Sequence, residues 1–366
     1  MQVIKLELNR FRNYKHETIS FDPNVNIFFG KNGEGKTNIL EAVYMLSLGR
    51  SFRTNKDRDM INLDGETAYV RAIVESAGKE YKIEYRIDAK SKKAIKINGL
   101  PIQRISELLG IINVVIFSPE DLSLVKDGPK ERRNFIDREL SQLRPRYYGI
   151  LNDYYKNLTQ RNNLLKNKEI DPILMDVYDE QMAGLGVEII NYRQEFINKI
   201  SRIANETHYK ISSGKEDLKV TYERSIDANS KEIYYESLKK QREKDIQRGT
   251  TSKGIHRDDL NIQINDIDLR SYGSQGQKRS AAISLKLSEI QLIHEIKGEY
   301  PIVLLDDIFS ELDKSRQIML LDAIKHTQTL VTTAENIDIP LETVKYKVTG
   351  GTTKKYKEYK QLNDIN

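Results

Sequence analysis

The chain has 366 residues, and its 59 Lys and Arg against 54 Asp and Glu give a formal charge of +5, a mild excess that fits a polyanionic partner without requiring one. It contains no cysteine, which excludes disulfides, thiolate catalysis and Cys-ligated zinc and is compatible with a reducing cytoplasm. Mean hydropathy is −0.60 and no apolar run approaches the length of a membrane span, so a soluble protein of two lobes with a sizeable core is expected.

In chain order, Ile4, Leu6 and Leu8 alternate with Lys5 and Glu7 like a strand and unlike a signal peptide. Asn26, Ile27, Phe28 and Phe29 close a buried strand that runs into Gly30-Lys31-Asn32-Gly33-Glu34-Gly35-Lys36-Thr37. Ile39, Leu40, Val43, Leu46 and Leu48 then form an apolar stripe at helical spacing, stopped by Gly49. Tyr81, Ile83, Tyr85 and Ile87 alternate with charged residues as a one-sided strand. Asn98-Gly99 predicts a hairpin turn, and Asn113 to Phe117 another strand.

From about 130 to about 210 the period becomes helical. Tyr147, Leu151, Tyr154, Leu158 and Leu165, interrupted by Arg161, are followed after Asp171-Pro172 by Leu185, Ile189, Tyr192, Phe196, Ile200 and Ile203. Two long helices folded back as an antiparallel hairpin, with core-facing tyrosines, are expected. A strand at Leu218, Val220 and Tyr222 and a basic helix over Lys231–Arg248 finish this insertion. Beyond Gly254 come a small hairpin (Ile262, Ile264, Ile267, Leu269) and a helix marked by Ala281, Leu285, Leu292 and Ile296. The apolar strand from Pro301 to Leu305 ends in Asp306 and Asp307, and the Lys/Tyr-rich stretch at 354–360 reads as a solvated terminus.

Residues 30–37 spell G-x-x-x-x-G-K-[ST] between a strand and a helix, the context in which that motif is credible. Glycines let several backbone N–H groups face one anion, and the helix N-terminus adds the positive end of its dipole. Lys36 is expected to reach the β- and γ-phosphates and Thr37 to ligate Mg²⁺. No separate N-K-x-D run is present, so ATP rather than GTP is the expected ligand. Asp306 supplies the hard oxygen that Mg²⁺ prefers, and Asp307 is the candidate to orient or deprotonate the attacking water. An Asp pair after a strand is by itself more often a turn or a cap, and the loop upstream moves the balance to a metal. Ser271 to Gln277 forms a second Ser- and Gly-rich entry to a helix, hence a second anion site.

Ser274-Gln275-Gly276-Gln277 resembles the signature loop of ATPases of the ABC and structural-maintenance-of-chromosomes (SMC) type, which closes on nucleotide held by a second subunit. Ser310-Glu311-Leu312-Asp313 resembles the loop after the acidic strand in the same superfamily. Six further runs narrow the likeness: Leu8-Asn9-Arg10-Phe11-Arg12-Asn13-Tyr14, Gly30 to Asn38, Gly49-Arg50-Ser51-Phe52-Arg53-Thr54, Phe117-Ser118-Pro119-Glu120-Asp121-Leu122, Gly254-Ile255-His256-Arg257-Asp258-Asp259 and Leu304-Leu305-Asp306-Asp307-Ile308. In that order they resemble the bacterial RecF family of DNA-repair proteins over nearly the whole chain.

The resemblance implies an α/β fold: an ABC-type (SMC-like) P-loop ATPase head with a β-rich N-terminal subdomain, formed by residues 1–125 and 250–366, and an inserted compact helical arm at 126–249. It implies ATP held by Gly30, Lys31, Asn32, Gly33, Glu34, Gly35, Lys36, Thr37 and Asn38, with Arg12 and Asn13 near adenine or the phosphates. Thr37, Asp306 and Glu120 would hold Mg²⁺, Lys36 and Asp307 would serve catalysis, and Ser274, Gln275, Gly276 and Gln277 would touch the ATP of a second subunit. It further implies binding to DNA where single strands meet duplex, an ATP-dependent homodimer, and slow hydrolysis acting as a switch. RecO and RecR would be partners, with RecA loaded indirectly, in cytoplasmic replication, recombination and SOS repair without a membrane.

The chain departs from the wider pattern in several places, the first being Gln275, where the commonest signature has Gly. Asp307 replaces a common Glu, in keeping with a slow switch. Glu120 follows Ser118-Pro119 where a glutamine is frequent, Thr332-Thr333 stand where a histidine is frequent, and Ile255 replaces a proline. His256 reads as a polar contact rather than a metal ligand. Arg50, Arg53, Lys56 and Arg58 form a basic cluster whose ordinary explanation is a surface loop. Two other classes share the ATPase motifs. A chromosome-organising ATPase would need a longer coiled coil, and a transporter's ATPase subunit would need a membrane partner.

Overall fold

The strands of the first unit, Met1–Pro119 with Ile293–Asn366, sort into two sheets according to their patterning. Alternating strands build an antiparallel sheet in the order Tyr14–Ser20, Gln2–Phe11, Thr67–Ser76, Lys79–Asp88, Ala94–Ile97, Leu100–Pro101. Leu6 lies opposite Ile19 on one side and Ala72 on the other, and Ala72 opposite Ile83, so the apolar residues share one face. A register shift between Val3 and Lys5 puts Val3 rather than Ile4 in phase with Leu6 and Leu8. Asn98 and Gly99, both at positive φ (52° and 83°), make the expected tight turn. The computed structural model describes residues 1–90, 93–167 and 169–356.

The continuous apolar runs form the second sheet, in the order Thr352–Tyr356, Thr343–Thr349, Val25–Phe29, Thr329–Thr333, Ile302–Asp306, Val114–Phe117. Its strands are parallel apart from the first, an antiparallel edge. Strands covered on both faces need apolar residues at every position, which Val25–Phe29 and Val114–Phe117 largely supply. The helix Lys36–Leu48 is buried almost all round. It packs on three strands of the parallel sheet, while Tyr85 of the antiparallel sheet donates from Oη to the Met45 carbonyl at 2.6 Å. Gly49, at φ 68°, ends it by returning its N–H to Met45. Lys354, Lys355 and Tyr356 are exposed, as expected of a solvated stretch, but they also form the edge strand, pairing with Lys347, Tyr346 and Lys345. Residues 357–360 of that stretch lie outside the described residues.

The second unit, Glu120–Leu292, carries the helices Pro129–Leu143, Pro145–Leu164, Pro172–Ile211 and Lys231–Arg248 and the antiparallel sheet of Leu218–Glu223, Asp259–Ile264 and Ile267–Asp268. Helical structure from 129 onward breaks at Arg144-Pro145, because proline offers no N–H to continue the ladder and instead opens the next helix. The hairpin is therefore Pro145–Leu164 against Pro172–Ile211. It is antiparallel: Arg161 pairs with Asp179 near the turn, while Tyr147 meets Arg193 at the far end. Asp171 caps the second helix, its carboxylate accepting from the Ile173 and Leu174 amides at 2.9 and 3.3 Å. Tyr147 and Tyr154 are core residues. Arg161, which interrupts the apolar stripe, is fully buried between Asp179 (2.5 Å) and Asp245 (2.8 Å). Among the described residues no helix is long and apolar enough to cross a membrane.

Candidate nucleotide-binding site

Open parallel sheets bind ligands at the carboxyl ends of their strands, and there Phe29 lies beside Thr333 while Thr332 lies beside Asp306. The chain leaves Phe29 through Gly30 at φ 154°, where an added Cβ would stand 2.4 Å from the Val348 carbonyl oxygen. Only glycine lets the loop pass so close to the neighbouring strand. Gly35, at φ 111°, is the N-cap residue of Lys36–Leu48, so the helix N-terminus opens into the loop. Lys36 folds back over it, donating from Nζ to the carbonyls of Gly30 (2.8 Å) and Lys31 (3.1 Å) and to Asn32 Oδ1 (3.4 Å). Phosphate oxygens would make stronger, charge-assisted partners for the same ammonium group. Lys31, Asn32 and Gly33 are exposed at the loop's mouth.

Side chains behind the loop hold its shape. Asn13 donates to the Glu34 carbonyl at 2.8 Å and accepts from Asn38 at 2.8 Å, and Tyr14 donates to the Gly35 carbonyl at 3.0 Å. Gly350 donates to the Glu34 carboxylate. Arg12, at φ 53°, grips Glu41 with two nitrogens at 2.8 and 2.5 Å. Glu41 is fully buried, accepts from Ser51 as well, and lies 3.7 Å from Arg53. Arg12 and Asn13 are thus both engaged in the frame of the loop. Glu41 was not singled out from the sequence, where its one signal is a carboxylate inside an apolar stripe.

Thr37 and Asp306 meet. Thr37 Oγ1 donates to Asp306 Oδ1 at 2.8 Å, and Thr332 Oγ1 donates to the same oxygen at 2.7 Å. One hydroxyl and one carboxylate suit Mg²⁺, which takes few protein oxygens and leaves its other positions to water and phosphate. Among the described residues no cage of three acidic, His or Cys ligands competes with that description. Asp307 follows in the left-handed conformation at φ 51°, its N–H donating to the Thr332 carbonyl at 3.2 Å and hydroxyl at 3.1 Å. A non-glycine residue there stores about 1–2 kcal/mol of strain. Glu120, exposed in the turn Pro119–Leu122, belongs to the second unit.

The family model described as RecF/RecN/SMC N terminal domain matches residues 2–354. A DNA replication and repair protein RecF from Clostridioides difficile (strain 630) is 49% identical over 342 residues, 92% of each chain. The chain belongs to the RecF family. A RecF from Lachnoclostridium phytofermentans is 45% identical over 362 residues, covering 97% of this chain and all of the other. The solved structure of the recombination mediator protein RecF-ATP in the RecFOR pathway superposes with a TM-score of 0.91 at 36% identity, covering 97% of each chain. An SMC head bound to the C-winged helix domain of ScpA reaches 0.57 at 19% identity over 97% of each chain, a likeness of fold alone. The expected ABC-type, SMC-like α/β head is therefore the fold of this RecF-family chain.

The remaining RecF-family runs have local structural reasons. Ser274 and Gln277 form a reciprocal cap on the helix Gln275–Lys297: the Ser274 amide donates to Gln277 Oε1 at 2.9 Å and the Gln277 amide to Ser274 Oγ at 3.2 Å. Ser274, Gln275 and Gly276 are exposed. In the run from Gly254 to Asp259, Asp259 pairs with buried Arg132 through two contacts of 2.6 and 2.9 Å. Asp258 accepts from Tyr222, from the Ser225 amide at 2.7 Å and from Arg193 at 3.3 Å. Ile255 explains its departure from proline, because its N–H donates to Tyr234 Oη at 3.2 Å and proline has no N–H to give. His256 contacts Tyr154 and the Thr251 carbonyl, and burial pushes its pKa down to about 4, which keeps it neutral. Of the basic cluster, Arg53 donates to Asn38 Oδ1 at 2.7 Å, and Arg50, Lys56 and Arg58 are exposed. Asp313, after the acidic strand, caps Lys314–Ala323 by accepting from the Arg316 amide at 3.0 Å.

Proposed function

We propose that this chain is an ATP-dependent DNA-binding switch in recombinational repair and replication-gap processing, acting in the cytoplasm with RecO and RecR and through them on RecA. The observation that carries the reading is the 2.8 Å contact from Thr37 to Asp306, which unites the phosphate loop with an acid on a strand 269 positions away in sequence. The head comprises residues 1–125 and 250–366, with 126–249 as its arm. Backbone amides of residues 30–37 and Lys36 take the phosphates, and Asn38, Arg12 and Asn13 support the loop and the base end. Mg²⁺, held by Thr37, Asp306 and Glu120, would neutralise charge on the β- and γ-phosphates. Asp307 aligns the attacking water, and its short reach makes hydrolysis slow. Ser274, Gln275, Gly276 and Gln277 close on the ATP of a second copy, and exposure of the first three supports that role. Gapped duplex DNA is gripped through its phosphates, so binding weakens steeply with salt.

Sedimentation with ATP, Mg²⁺ and a gapped duplex tests this. Lys36→Ala is expected to lose ATP binding, and Ser274→Arg to keep it but remain monomeric. Dimers of Ser274→Arg appearing with ATP would refute the shared site, and an ATPase rate indifferent to gapped DNA at low salt would refute the DNA switch.

A further inference from the structure

A hydrogen-bonded chain runs from the Ser274 loop to the root of the long arm helix. Gln277, whose Oε1 accepts from the Ser274 amide at 2.9 Å, donates from Nε2 to Glu216 Oε1 at 2.9 Å. Glu216 Oε2 lies 3.0 Å from His208 Nε2. His208 is fully buried in the last turn of Pro172–Ile211, and its Nδ1 lies 3.1 Å from Ser284 Oγ. Gln277 and Ser284 sit on the same helix, Gln275–Lys297, so the arm root holds its opening turns at two points. The segment carrying Glu216 is itself tied to the arm helix: the Glu216 amide donates to Ser212 Oγ at 3.2 Å and the Leu218 amide to Asn205 Oδ1 at 2.9 Å. An ionised carboxylate only accepts, so Glu216 can take the Gln277 amide and the imidazole N–H together.

We propose that Glu216 and His208 are positioning residues that set the aim of the Ser274 loop by tethering it to the C-terminal end of the arm helix. The inference rests on the reading that Ser274 meets ATP held by a second copy. Without the tether the loop keeps its own reciprocal cap but loses its fixed orientation toward that ATP.

Reversing the polarity of one hydrogen bond tests the tether. Gln277→Glu sets two carboxylates against each other. Adding Glu216→Gln restores every bond: the new amide donates to the new carboxylate, its carbonyl accepts from His208, and the carboxylate still accepts from the Ser274 amide. Because Gln277 itself faces the ATP of the second copy, dimerisation is read on the arm side alone: the ATP concentration giving half-maximal dimer is expected to rise about tenfold in Glu216→Ala, the size of losing one hydrogen bond to a charged group. Hydrogen exchange at residues 271–277 of the nucleotide-free chain reads the same tether without any dimer, and should quicken in Gln277→Glu and recover in the double variant. Equal exchange in all three chains, a double variant that exchanges no more slowly than the single, or a Glu216→Ala chain that dimerises at the ATP concentration of the unsubstituted chain overturns the proposal. An unsubstituted chain that stays monomeric with ATP sinks the shared-site reading instead, and exchange then decides the tether alone.

Discussion

Gly30→Ala measures how tightly the phosphate loop is set against the sheet. The added carbon would lie 2.4 Å from the Val348 carbonyl oxygen, about 0.9 Å inside an ordinary C···O contact of about 3.3 Å. Val348 cannot retreat freely, because its strand Thr343–Thr349 is paired on both sides, with Val25–Phe29 and with Thr352–Tyr356. Displacing packed backbone costs about 1–3 kcal/mol, and a side chain held at φ 154° adds about 1–3 kcal/mol. The sum is about 2–6 kcal/mol, and at about 2–4 °C per kcal/mol the melting temperature should fall by at least about 4 °C. Gly33→Ala is the control. Its φ of 84° carries backbone strain, but nothing lies within 4 Å of the added carbon, so about 1–2 kcal/mol is expected. Scanning fluorimetry without nucleotide ranks the two, and a second scan with ATP and Mg²⁺ should show the stabilisation by ligand reduced in Gly30→Ala. A Gly30→Ala chain that melts with or above Gly33→Ala would refute the reasoning.

Other consequences can be read the same way. Glu41→Ala leaves Arg12 without its buried partner and should cost about 3–5 kcal/mol, measured as a shifted urea midpoint at constant slope. Ile255→Pro removes the donor to Tyr234 Oη and should destabilise by about 1–3 kcal/mol even though proline is usual at this place in the RecF pattern. His256, pushed down to about 4 by burial, takes up its proton later than the unfolded chain, whose histidine titrates near 6.5. The His256 contribution to stability should therefore be flat above about pH 7 and fall by about 3 kcal/mol between about pH 6.5 and 4, measured as the difference between the chain and His256→Gln.

What the sequence made legible was local. The strand, loop and helix around residues 25–49 announce themselves through apolar runs and glycine spacing, and the acidic strand through one apolar run ending in Asp306. Buried charges were not legible, since a charged residue on a helix reads as solvated until its partner is known. Arg161 pairs with Asp245, 84 positions away, and Arg193 reaches Asp137 and the Ile255 carbonyl, 56 and 62 positions away. The break at Pro145 was marked by its own residue, but the apolar period continues across it and hides the boundary. Val3 in place of Ile4 reflects a register shift between paired strands, which no single strand encodes.

The way the two sheets terminate sets how this molecule can stick to others. Exposed Lys15 and His16 line one rim of the antiparallel sheet and Pro101 sits on the opposite rim, while exposed Lys354 and Lys355 occupy the outermost strand of the parallel one. Like charges and a missing N–H discourage a foreign backbone from zipping onto these rims. Backbone-to-backbone fusion between copies is thereby disfavoured.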